Sequence, residues 1–329
     1  YSHNFLGYSI YGFASALTKD RSGILFVYLT TQGELMNGFT KYITERPWED
    51  IVTTWFVLVD DAIQRILVKR GRPFRASGPA PIFSDSEVIT VALIIETFFH
   101  GNEELGYAFV WQYLSDMFPK LIDLDRFNAR RRDLTGLLEA IRCDLRDQKL
   151  NRADPVRLVD SAPVTVNTYT RGSRCSDVVG SEYFGVVTSK KGKVYGFRLH
   201  VTATVNQLID DWVLAPSSVP DPKVLDELVL DRRDLTLIGD KIYNDVELES
   251  RLWRKRRILL LPLRKDNQKK QWAKGVQKAL GYFRHRVETV FSVLTTVFNV
   301  GRPRGRTFAG YVVRVATCIL AHTLCFFLA

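Results

Sequence analysis

From Pro155 onward, short β-branched runs alternate with amphipathic stretches in an order that few architectures accommodate. "VRLVDSAPVTV" (156–166), "KVYGFRLHVTATV" (193–205) and "IDDWVLAP" (209–216) read as strands, and Asn206-Gln207 supplies the turn between the last two. "PDPKVLDELVLD" reads as a helix, "LTLIGD" (235–240) as a strand, "NDVELESRLWRKR" as a helix, "ILLLPL" (258–263) as a buried strand and residues 276–298 as a long helix. Three strands followed by alternating helices and strands predict one mixed, five-stranded sheet flanked by helices, an α/β fold.

Residues 37–150 read as helical and precede the strand-bearing region 151–329, a division into two candidate domains. In "FSDSEVITVALIIETFF", Ser84 and Glu87 have the spacing of a capping box before a long apolar run. Arg126, Arg130, Arg131 and Arg132 precede a second amphipathic stretch, where a solvated face and a phosphate-binding face are alternatives. Residues 1–36 show no basic region followed by an apolar core and carry no functional expectation. The tail "GYVVRVATCILAHTLCFFLA" (310–329) approaches the length of a membrane span, but Arg314 and His322 interrupt it, so it predicts a closing helix packed on the core.

A composition of 46% hydrophobic and 25% charged residues is that of a folded domain rather than a disordered chain. The four cysteines are far apart with no C-x-x-C pair, which argues against a zinc knuckle or a disulfide scaffold and for a reducing compartment. The net charge of +10 is concentrated: residues 251–306 hold 16 Lys and Arg against Asp266 and Glu288, a local balance of +14. "RLWRKRR", "LRKDNQKKQWAK" and "GRPRGR" therefore predict a track for a polyanion. Trp253 and Trp272 punctuate it. Stacking on an unpaired base is the sharper role, and core packing is the expectation for Trp253.

Three acids sit where a site could form. Asp160 closes the apolar part of the first strand, and Asp240 closes "LTLIGD" after Gly239, which lets the chain approach something closely. Glu288 borders a helical stripe of Val287, Phe291 and Leu294, widened by Val290 and Val293. Singly, such residues cap turns or face water. Together, three carboxylates at one sheet edge require a compensating cation, and an all-oxygen donor set favours Mg²⁺ or Mn²⁺. Two such ions roughly 4 Å apart suit in-line displacement at a phosphodiester. No G-x-S-x-G or P-loop motif competes. Asp210 and Asp211 are rival acids, one of them a candidate neighbour of the site; His200 and His285 carry a structural expectation.

The segments "RLVDSAPV", "VYGFRLH", "DDWVLAPSSVPD", "LIGDKIYND", "ILLLPLRKDNQKK", "RHRVETVFSVL" and "CILAHTLCFFL" run in an order that resembles the DDE transposases of bacterial insertion sequences. "FSDSEVITVALI" and "RFNARRRDL" extend the likeness into the helical half. The resemblance implies a DNA-binding domain over 37–150 and a ribonuclease H-like catalytic domain over 151–329, with Asp160, Asp240 and Glu288 as a triad for two Mg²⁺ or Mn²⁺ ions. It further implies nicking of element ends and strand transfer by 3′-hydroxyl attack. Double-stranded DNA (terminal inverted repeats and target) would be the partner, held by a homodimer in the bacterial cytoplasm at the nucleoid, with no membrane. Arg130, Arg131, Arg198, Lys241, Arg264, Lys265, Arg284 and Arg286 become candidate DNA contacts. The spacings of 80 positions (160 to 240) and 48 (240 to 288) leave no room for a large insertion before the glutamate. Departures from the family pattern are Gly281 with Tyr282 one step late, Thr295 in a lysine place, and Arg198 where Lys is usual. A structure-selective nuclease of the same fold, and a DNA-binding relative that has lost catalysis, are the alternatives.

Overall fold

The computed structural model describes residues 34–72, 74, 78–79, 81–187, 192–265, 267–268 and 271–328. Expectations for residues 1–33, Asp266, Lys269 and Lys270 lie outside them.

Six helices come first: α1 (Glu34–Glu45), α2 (Trp48–Arg70), α3 (Asp85–Phe99), α4 (Glu103–Tyr113), α5 (Leu124–Asp133) and α6 (Thr135–Lys149). The capping box forms at α3: Ser84 Oγ accepts from the Glu87 amide at 3.2 Å, and Glu87 Oε2 accepts from the Ser84 amide at 2.6 Å. The sheet follows, with β1 (Val156–Asn167), β2 (Phe184–Val187), β3 (Gly192–Ala203) and β4 (Ile209–Pro216). Then come α7 (Asp221–Leu228), β5 (Thr236–Gly239), α8 (Val246–Arg256), β6 (Leu259–Pro262), α9 (Lys274–Thr296) and α10 (Phe308–Leu328).

The sheet runs β4-β3-β1-β5-β6, with β2 on the same edge of β3 as β4 but nearer the start of that strand. β1 is antiparallel to β3 and parallel to β5, and β5 is parallel to β6. The fold is mixed α/β as expected, but with six strands among the described residues rather than five. The additional strand is β2, four residues that exist only by pairing with the start of β3.

Side-chain alternation divides the sheet's two faces. Leu158 and Val164 of β1 and Ile238 of β5 enter the core shared with α9, α10 and the N-terminal helices. Val159 and Leu237 face a second core, closed by Leu225 and Leu228 of α7 and Leu248 and Leu252 of α8. The closing helix α10 packs against α3 and α6 as expected. Among the described residues it is the one helix long and apolar enough to cross a membrane, and its apolar window is 83% buried in the fold. Its Arg314 is buried and donates to the Gly101 carbonyl (2.7 Å) while pairing with Glu103 (2.7 Å), which satisfies a charge inside the core.

Candidate active site

β1 pairs with β5 only as far as Val159, opposite Gly239. The next residues on the two parallel strands are Asp160 and Asp240, so register alone sets these carboxylates side by side. Both follow residues of the α7/α8 face, so both belong to the face covered by α9. Asp160 closes the apolar part of β1 but does not end the strand. The strand continues past it, because β3 keeps pairing on the other edge through Asn167 while β5 has stopped.

Gly239 permits this corner. A Cβ there would meet Tyr243 Cδ2 at 2.7 Å and Val159 Cγ1 at 3.1 Å. The close approach anticipated for Gly239 is thus to the ring of Tyr243, folded back beneath the end of β5.

The third acid arrives on α9. Arg284 Nη2 lies 3.1 Å from Glu288 Oε1, one helical turn on, and Arg284 Nε lies 3.7 Å from Asp240 Oδ1. One guanidinium therefore links the two carboxylates, while His285 Nδ1 stands 2.9 Å from Glu288 Oε2. Burial pushes the Asp160 carboxyl up to about 7; the Ser161 amide bond opposes the rise, Asp240 and Asp221 add to it, and Arg284 counteracts it. Near neutral pH this acid is shared between its two forms, as expected where carboxylates crowd without a full counter-charge.

The donor set is all oxygen with excess negative charge, which suits a hard divalent cation. Among the described residues no three His, Cys, Asp or Glu side chains are close enough to enclose an ion. The paired aspartates fit one, and the Glu288 carboxylate is engaged by Arg284 and His285. Completing the triad requires that side chain to turn toward Asp240.

The other candidates separate. Arg198 pairs with Asp221 at 3.2 Å on the opposite face of the sheet. Lys241 follows Asp240 directly in a single turn of 3₁₀ helix. Arg286 donates to the Tyr282 hydroxyl at 2.8 Å, and Lys265 is exposed. Arg264 is bound by Glu249 (2.5 Å) and Asn244 (2.7 Å) and lies over the Trp272 ring. Arg130 bonds the Phe83 carbonyl and Asp85. Arg131 is 2% exposed and pairs with Glu96 at 2.5 Å, so it serves the interior rather than a DNA surface. Trp253 corrects a core expectation: it is 45% exposed with Arg257 over its ring, because Leu248 and Leu252 form the buried stripe of α8 and Trp253 lies about 100° round from Leu252. Asp210 and Asp211 are bound by Arg146, Arg157 and Arg232, in a cluster that ties β4 to β1 and α6. His200 is buried, in keeping with a structural role, and burial drives its imidazole down to about 4. A cavity of about 600 Å³ lined by Arg132, Arg304 and Arg306 is not bordered by any of the three acids.

Asp221 escaped notice in the sequence. After Pro220, at the start of a helix, it reads as an ordinary first-turn acid. Yet it is 3% exposed, accepts from Ser161 Oγ at 2.5 Å and lies near enough to raise Asp160.

With two strand-borne acids in register and a helical glutamate one guanidinium away, the comparison with known families is decisive. A family model described as the transposase DDE domain matches residues 150–308. Those residues belong to the DDE transposase family. The match spans β1 to the start of α10 and includes all three acids. No curated protein and no solved structure matches the chain. A transposase domain has DNA as its partner, and DDE domains generally use divalent metals.

Proposed function

We propose that the chain is the transposase of a bacterial insertion sequence. It would hydrolyse phosphodiester bonds at the element's inverted-repeat ends and join the freed 3′-hydroxyls to target DNA. The observation that carries the reading is the register of β1 and β5, which sets Asp160 beside Asp240 on the face that α9 covers with Glu288. The order β4-β3-β1-β5-β6 supports a ribonuclease H-like sheet.

Asp160 and Asp240 would hold one divalent ion, and Glu288 would complete a second site. Bound there, Mg²⁺ or Mn²⁺ activates a water or hydroxyl and neutralises charge at the phosphate. To serve as a ligand, the Asp160 carboxyl would release its proton to solvent. Arg284 holds Asp240 and Glu288 together against their mutual repulsion. The exposed Trp253, beside Arg257, offers a face for an unpaired base, and Lys265, Arg257 and Arg254 present charge to the backbone. Two such sites in a homodimer would act on paired ends at the bacterial nucleoid.

The departures from the family pattern leave this chemistry intact. Thr295 Oγ1 bonds the Phe291 carbonyl within α9 at 2.7 Å, and Arg198 is satisfied inside the fold. The test is cleavage of DNA carrying the element ends with and without Mg²⁺, followed by strand transfer from pre-nicked ends. Wild type should cleave and join only with the ion, and Asp240→Asn should do neither. Wild-type activity in Asp240→Asn would end the proposal, and cleavage without joining would make the chain a nuclease.

A further inference from the structure

We infer that Asp221 is a positioning residue, holding from the back of the sheet the stretch of β1 that carries Asp160, through Ser161 and Arg198. The inference rests on the divalent-metal reading above.

β1 needs such support where Asp160 sits. On its β5 edge the ladder ends at Val159, and among the described residues the next backbone bond there is from the Thr165 amide to the Gly301 carbonyl, at 2.8 Å. Between them Pro163 offers no N–H, and the Ser161 amide is taken at 2.8 Å by the Asp160 carboxylate itself. The functional acid thus lies on a span held by β3 alone.

On the α7 side of that span, Ser161 Oγ donates to Asp221 Oδ2 at 2.5 Å. Arg198, opposite Pro163 on β3, donates through Nη1 to Asp221 Oδ1 (3.2 Å) and Ser161 Oγ (3.3 Å), and through Nη2 to the Val186 carbonyl of β2 (3.3 Å). The planar fork reaches three acceptors on three elements, which a lysine ammonium could not do in this geometry. The Asp221 side chain is 4% exposed and that of Arg198 14%, so the pair is shielded from water and each depends on the other.

The remaining neighbours supply no further charge. His200, opposite Ser161 in the ladder, is neutral, and its Nε2 is buried without a hydrogen-bond partner. The Tyr243 hydroxyl, also close to Asp221, is likewise buried without one. Arg198 is therefore the cation paired with Asp221, and Asp221 is the acceptor that fixes Ser161 immediately after Asp160.

The experiment measures Mn²⁺ binding to the full chain from the loss of the free-ion paramagnetic signal, with thermal unfolding of the same samples. Its variants are Ser161→Ala, Ser161→Thr, Asp221→Asn and Asp240→Asn. Ser161→Ala should weaken Mn²⁺ binding about tenfold with a nearly unchanged unfolding midpoint, and Asp221→Asn by at least as much. Ser161→Thr, which keeps the hydroxyl, should restore it. If Asp221→Asn does not fold, the serine pair decides. Wild-type affinity in Ser161→Ala, while Asp240→Asn loses the ion, overturns the positioning role alone. Wild-type affinity in Asp240→Asn overturns the metal reading, and this inference with it.

Discussion

At the residue scale, two positions carry the sharpest consequences. The carboxyl of Asp160 rises from 3.8 in the unfolded chain to about 7 in the native protein, so the native state binds this proton more tightly. Its contribution is favourable below about pH 4, fades as pH rises to about 7 and is then constant. In EDTA, urea unfolding of Asp160→Asn should lack that fall, making the variant more stable than wild type at pH 8 by on the order of 4 kcal/mol and similar at pH 4. A difference independent of pH would remove the crowded-carboxylate account. Gly239 is the second position: in Gly239→Ala the new methyl must displace the Tyr243 ring, so stability should fall by about 1–3 kcal/mol in the same assay. Asp160 was legible because a charge after an apolar run needs a reason, and Gly239 because a glycine beside such a charge permits a close approach. Asp221 was not, since nothing local separates a buried first-turn acid from a solvated one; Ser161 and Arg198, 60 and 23 positions away, bury it.

At the element scale, the order of strands and helices was legible because each long element has a consistent period. The failures are elements or faces that only a partner defines. β2 has four residues and no alternation of its own, and takes shape on β3. The exposed side of α8 follows from Leu248 and Leu252 lying against α7 and β5, which no single stretch announces. The acids of β4 show the same dependence. Asp210 is 1% exposed and takes Arg157 at 2.6 Å and Arg232 at 2.8 Å, while Arg146 of α6 reaches the Asp210 carbonyl at 2.7 Å. Replacing Asp210 with Ala strands the buried Arg157, and urea unfolding should show a loss of roughly 3–5 kcal/mol. Asp211→Ala, at the better-solvated end of the cluster, should lose far less; equal losses would show that the clamp does not work through Asp210.

At the scale of the whole molecule, charge and the acids act together. Many of the arginines in the +14 segment have internal partners, Arg251 and Arg256 with Asp226 and Arg264 with Glu249, so the surface available to DNA is smaller than the sequence count implies. Lys265 and Arg257 are exposed and have no acid partner among the described residues. Replacing both with Ala should reduce the slope of log affinity against log salt by about 2 on duplex DNA, with little change in sequence preference. An unchanged slope would place the DNA track elsewhere, for example along Arg132, Arg304 and Arg306. The central claim is that Asp160, Asp240 and Glu288, distant in the chain, share bound divalent ions. Fe²⁺ loaded in place of Mg²⁺, with ascorbate and peroxide, cuts the polypeptide beside its ligands, and mass spectrometry maps the cuts. Cleavage near residues 160, 240 and 288 together, suppressed by excess Mg²⁺ and lost in Asp240→Asn, is the result predicted; cuts confined to one of these segments, or unaffected by Mg²⁺, would contradict it.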